Sequence, residues 1–248
     1  MIFRGSGQRI ALAEQAQYDT DVVVLYQVNG WQDSETQMKW SEKCMQPYMV
    51  KKRQDWLATY GPWHFTPAPY GIMTQDNLKS QCQEEFITFM EKHCHMVVHM
   101  GEKEESTHMW QAIDRGIGKI VKSLVEEEQG NWMTSSRANV LEWNSQRMSC
   151  SRRRILMTQW VGGAWRKYCQ KYRKTHEKIC KRSGLLVALD DHDISEIRLE
   201  GVPTWRPSPT AKLDEHDRAY FKDLVKSHVV PAAVDVELFC WCNSVCIQ

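Results

Sequence analysis

The sequence predicts an α/β protein, and three observations carry that expectation. Short apolar or β-branched runs recur through the first half, at "VVVLYQV" (22–28), "GIM" (71–73) and "CHMVVHM" (94–100). Between and after them, apolar residues fall at helical intervals. The resulting alternation of strand and helix, three times over, is the pattern of a layered domain with helices packed on a sheet.

The elements follow in order. The run 22–28 is the strongest strand signal. Behind it, in "WQDSETQMKWSEKCMQPYM", Trp31, Met38, Cys44 and Met45 recur at roughly helical spacing, and Pro47 is expected to end that helix. Residues 51–70, with Gly61-Pro62, Pro67 and Pro69, read as loop. A short strand then runs into Asp76. "SQCQEEFITFMEKH" places Cys82, Phe86, Phe89 and Met90 on one helical face, with Ser80 as the expected cap. The strand "CHMVVHM" and the polar loop "GEKEESTH" lead into "MWQAIDRGIGKIVKSLVEEE", where Trp110, Ile113, Ile117, Val121 and Leu124 keep helical spacing. From Ser151, "SRRRILMTQWVGGAWRKYCQKY" is a long amphipathic helix with Ile155, Leu156, Trp160, Val161, Ala164, Trp165 and Tyr168 as its apolar stripe. Gly162-Gly163 in its middle cost about 1 kcal/mol each relative to alanine. A kink or a close contact is expected there. Residues 203–218 are Pro-rich and polar, the composition of a linker.

Composition narrows the function classes. With 42% hydrophobic and 25% charged residues in 248, the chain can build a core and is not of disordered composition. No apolar run approaches the ~20 residues of a membrane helix, and Arg4 interrupts any signal-like N-terminus. Nine mostly scattered cysteines suit reduced thiols inside the cell. Cys240, Cys242 and Cys246 lack the paired spacing and histidine partners of a zinc site. The formal charge of +1 hides segregation: residues 137–182 carry thirteen Lys or Arg against Glu142 and Glu177, whereas 84–128 carry ten acids against five Lys or Arg. A basic stretch of that kind suits an anionic partner, unless acids elsewhere in the fold, such as Asp190, Asp191 and Asp193, cover it.

Candidate chemistry starts at Asp76, where two readings stand. It caps the helix that follows, or it is a metal-binding carboxylate at the C-terminal end of a strand, where sites on open α/β sheets gather. Asp114 is a second acid in a comparable place, early in the helix after the next strand. His95 and His99 share a strand face without a convergent acid, and "GSG" at 5–7 lacks the rest of a nucleotide loop. Trp110, Trp160 and Trp165 lie on helix stripes and read as core.

Several segments together resemble the DDE-type transposases, specifically the pogo/Tigger/Jerky-like branch of DDE superfamily endonucleases. They are "IFRGSGQRI", "VVVLYQVNGWQDSE", "QDNLKSQ", "MWQAIDRGIG", "ILMTQWVGGAW" and "RSGLLVALDDHD", in family order over residues 2–205. The resemblance implies an RNase H-like mixed sheet flanked by helices, with a helical C-terminal extension. It divides the chain into a partial RNase H-like DDE domain (1–130), the helical part of the DDE region (131–205), and a linker and tail (206–248). It makes Asp76 and Asp114 the second and third catalytic, metal-binding acids, with Mg²⁺, or Mn²⁺ in its place, as cofactor and DNA as substrate in the nucleus. No small-molecule substrate and no membrane are implied. Arg152, Arg153, Arg166, Lys167, Lys171, Arg173 and Lys174 become the expected nucleic-acid contacts.

This chain departs from the family pattern at several points. The first acid belongs to a strand upstream of the "IFRG" segment, which 1–248 does not contain, so a sheet lacking its first strand and an incomplete triad are expected. Asp33 matches a non-catalytic position and is no substitute. Ala112 stands where proline is expected, Arg152 where an acid is common, and "GEKEEST" replaces a Pro/Asn-rich loop. The alternative is a module that kept the fold for nucleic-acid binding or protein interaction without the chemistry.

Overall fold

Local sequence chemistry explains where the elements begin and end in the computed structural model, which describes residues 1–60, 71–75, 78–100, 111–145, 147–185 and 196–198. Strand β1 (Ile2–Arg4), the short helix α1 (Leu12–Gln15) and strand β2 (Leu25–Gln27) open the chain. β1 and β2 pair in parallel, Phe3 opposite Tyr26. The strand expected over 22–28 is therefore confined to Leu25–Gln27. Helix α2 (Ser34–Trp40) starts at Asp33, whose carboxylate accepts from the Thr36 N–H at 2.8 Å while the Thr36 hydroxyl accepts from the Asp33 N–H, a reciprocal capping box.

Pro47 does not end this helix. A widened turn over Ser41–Met45, in which the Gln46 N–H reaches back five residues to the Ser41 carbonyl, lies between α2 and α3 (Gln46–Tyr60). A π-type turn moves the preceding carbonyls off the proline ring, which removes the clash that would break an ordinary α-helix. Helix thus extends through residues 51–60, which were expected as loop; 61–70 fall outside the described residues.

Strand β3 (Gly71–Gln75) and strand β4 (Met96–Met100) pair in parallel, from Gly71 opposite Met96 to Gln75 opposite Met100, with α4 (Glu84–Cys94) as the connecting helix. Ser80 is buried and does not cap α4, which begins after Gln83 without a side-chain cap. At its other end His95 adopts the left-handed conformation (φ 52°) and donates its N–H to the Met90 carbonyl. His95 is a helix terminator, not a strand residue on the face of His99. Met45, Met49, Met73, Phe86, Met90, Cys94 and Met96 form the core of this half. Burial pushes the Cys94 thiol up to about 11, so it is inert there.

The second half is helical. A π-type turn (Ile113–Ile117) leads into α5 (Gly118–Thr134), followed by α6 (Arg137–Asn144), α7 (Cys150–Lys171) and α8 (Arg173–Arg182). Ile113, Ile117, Val121 and Leu124 pack against Ala164 and Tyr168 of α7 and Cys180 of α8. Trp160 sits within 5.7 Å of Trp132 and 5.3 Å of Trp143, ring centre to ring centre, as core and not as an exposed stacking platform. The chain is a mixed α/β protein in which helices predominate, with two separate parallel strand pairs among the described residues. No described helix is long and apolar enough to cross a membrane. The expected linker at 203–218, the cysteine tail, Trp110 and the acids at 190, 191 and 193 lie outside the described residues.

Candidate functional site

Asp114 occupies the π-type turn ahead of α5, and the local sequence explains why the chain turns there. Gly116 has φ 140°, a conformation that side chains with a Cβ rarely adopt, and an added Cβ would come within 3.3 Å of Ile179 on α8. The Asp114 carboxylate is exposed and makes no hydrogen bond or ion pair to any described residue. Its neighbour Arg115 is fully engaged. That guanidinium donates to the Arg182 carbonyl at 2.6 Å, to the Ser183 hydroxyl at 3.2 Å and to the Arg198 carbonyl, capping the C-terminal end of α8.

Asp76 directly follows Gln75, the last residue of β3, and lies outside the described residues. The strand end itself is pinned: the buried Gln75 amide donates to the Gln81 carbonyl at 2.8 Å, tying β3 to the approach to α4. Because β3 and β4 run parallel, Gln75 and Met100 end the pair at the same side. Asp33, by contrast, is spent on its cap. Burial raises its pKa, but the Thr36 and Gln27 hydrogen bonds outweigh this and hold the carboxyl below its usual range.

A divalent ion needs several converging oxygens. Among the described residues no group of three or more His, Cys, Asp or Glu could hold a metal. The exposed Asp114 carboxylate is a hard-oxygen donor of the right kind.

The seven expected nucleic-acid contacts separate into different roles. Arg152 pairs with Glu142 at 3.0 Å, and Arg153 lies over the Trp143 ring at 5.9 Å. Arg166 holds Asp19 at 2.9 Å and Asp21 at 2.6 Å. Lys167 holds Glu127 at 2.8 Å and Glu128 at 2.6 Å. Arg173 pairs with Glu177 at 3.2 Å one turn along α8. Lys171 and Lys174 are exposed. The acids that cover α7 therefore come from the N-terminal segment and from α5 and α6.

Sequence reasoning missed Arg154, which makes two bonds to Glu14, at 2.7 and 2.9 Å, while the Tyr18 hydroxyl donates to the same carboxylate at 2.5 Å. The Arg154 guanidinium, ahead of the smaller hydroxyl contributions, overcomes burial and draws the Glu14 carboxyl down to about 2. It also missed why Gly162 and Gly163 are adjacent. A Cβ on Gly162 would collide with the Asp19 carboxylate, and one on Gly163 would come within 3.0 Å of the Glu128 carboxylate. Each glycine clears a notch for an acid that is then held by the cation four residues on, Arg166 or Lys167. The Asp19 N–H adds a bond to Thr158 at 3.2 Å.

No family model, characterised protein or solved structure matches this chain.

Proposed function

We propose that the chain is a transposase-derived DDE endonuclease domain of RNase H-like type, acting on DNA in the nucleus, with Asp76 and Asp114 as two of its metal-binding acids. The observation that carries this reading is the placement of the acids. One directly follows a parallel strand, and the other is an exposed carboxylate, without a partner among the described residues, in a turn braced from behind by Arg115. The ordered motifs over residues 2–205 supply the reaction class. Mg²⁺ or Mn²⁺ at such a site would activate the attacking oxygen and stabilise the leaving one. The chain's own part is to hold oxygen donors in place, and Arg115 fixes the backbone from which Asp114 projects.

Paramagnetic broadening by Mn²⁺ tests the reading without requiring turnover. Amide signals next to residues 76 and 114 should broaden together at low metal concentration, and Asp76→Asn or Asp114→Asn should each remove the effect at both places. Broadening at one place alone, or indifference to either substitution, would refute the assignment. Plasmid cleavage by 1–248 above a buffer control, retained in Asp114→Asn, would refute it as well.

A further inference from the structure

We infer that the polyanion-binding surface of this chain is the outer face of α8, formed by Lys174, Lys178 and Arg182, and not the basic face of α7. Helix α8 holds five Lys or Arg against one acid, Glu177. Tyr172, His176, Ile179 and Cys180 face inward, where Ile179 and Cys180 join the core with Tyr168. A spacing of four residues aligns Lys174, Lys178 and Arg182 on the opposite side, all three exposed. Arg173 is engaged by Glu177, and Lys181 approaches Glu196 at 3.7 Å. The three aligned cations make no ion pair among the described residues, whereas Arg154, Arg166 and Lys167 of α7 are each held by acids.

The stripe is about 12 Å long at 1.5 Å per residue. Duplex DNA presents one charge per ~1.7 Å of axis, so such a stripe meets several phosphates. The chemistry favours a nucleic-acid backbone over other anionic surfaces. The exposed positions 173–175, 177, 178 and 182 carry no large apolar side chain to insert into a lipid interface. They also offer no aromatic or aliphatic anchor of the kind that dominates protein–protein contacts. Backbone contacts need neither, and they grip without reading sequence.

The placement of this face also matters. Arg115 bonds the carbonyl of Arg182, so the C-terminal end of the stripe is one arginine side chain away from the turn that carries Asp114. A strand gripped by α8 would lie beside that acid. Only this last step rests on the DDE reading; the binding surface does not.

The test is a fluorescence-anisotropy titration of a short duplex of arbitrary sequence at two salt concentrations. The proteins compared are wild type, a Lys174→Glu/Lys178→Glu/Arg182→Glu variant, and the corresponding glutamine variant as a milder control, each checked by thermal melting. Replacing the three cations should weaken binding about tenfold or more and flatten the log–log salt slope by about 2.7, at about 0.9 per phosphate contact. Unchanged affinity and slope in the glutamine variant would overturn the proposal. So would absence of duplex binding by wild type at low salt, binding to anionic vesicles alone, or an equal loss from Arg153→Gln. If binding follows α8 while Mn²⁺ broadening at residues 76 and 114 fails, the surface stands and the DDE reading falls.

Discussion

Helices α7 and α8 belong to one basic stretch of sequence, yet their cations do different work. On α7, Arg154, Arg166 and Lys167 are fasteners. Glu14, Asp19 and Asp21 reach them from the N-terminal segment, and Glu127 and Glu128 from α5. On α8, Lys174, Lys178 and Arg182 stand outward. The difference teaches that a count of local charge does not identify a binding face. What decides is whether distant acids reach the cations, and among the described residues they reach Arg154, Arg166 and Lys167 of one helix and not Lys174, Lys178 and Arg182 of its neighbour.

The largest expected effect is at Arg154. Glu14 is only 7% exposed, so Arg154→Met leaves a buried carboxylate without its partner. A loss of about 2–3 kcal/mol is expected, since stranded buried charges are costly, and urea unfolding midpoints measure it. An unchanged midpoint would break the contrast between the two helices.

The same pair predicts a pH dependence. The Glu14 carboxyl is lowered in the folded protein, so its contribution is fully present above its ordinary value of 4.5 and is lost as pH falls toward about 2. Glu14→Gln should remove that part of the acid sensitivity. A parallel pair of stability–pH curves between pH 5 and 2 would contradict the assignment.

The glycine notches give a finer test, because the two positions should respond with opposite sign. Gly162→Ala pushes into an Asp19 carboxylate anchored by Arg166, by the Asp21 N–H and through its own backbone by Thr158. About 1–2 kcal/mol of stability should be lost to overpacking. At Gly163 the obstacle is the end of the flexible Glu128 side chain, which can swing aside. There the gain in helix propensity, up to about 1 kcal/mol, should leave the substitution neutral or stabilising. Equal effects at the two sites would remove the notch explanation.

The smallest effect is expected on α8. Lys174→Ala and Lys178→Ala touch no described partner and should stay within about 0.5 kcal/mol of wild type in thermal melts. A larger loss would show that the stripe, too, is structural.

Much of the local architecture was legible in the sequence. The amphipathic stripe of α7, the strand pair around α4, the close contact at Gly162-Gly163 and the core role of Trp160 all follow from periodicity and residue type. The misreadings share one cause: tertiary context outweighed a local signal. Pro47 is a breaker unless the preceding turn widens. Ser80 suits a cap unless the chain buries it, and His95 suits a strand unless it must end a helix.

The sequence by itself determined the alternation of elements, the segregation of charge and the positions of Asp76 and Asp114 relative to strand and helix. Each of these depends on neighbours within a few residues, where backbone geometry makes spacing meaningful. Only the tertiary structure decided which cations are neutralised, because Glu14 and Arg154 are separated by 140 residues and Asp19 and Arg166 by 147. It also decided that Arg115 braces the turn of one candidate acid against the end of a basic helix. Ion pairing acts through space over a few ångströms, and no local pattern records which distant side chain will arrive there.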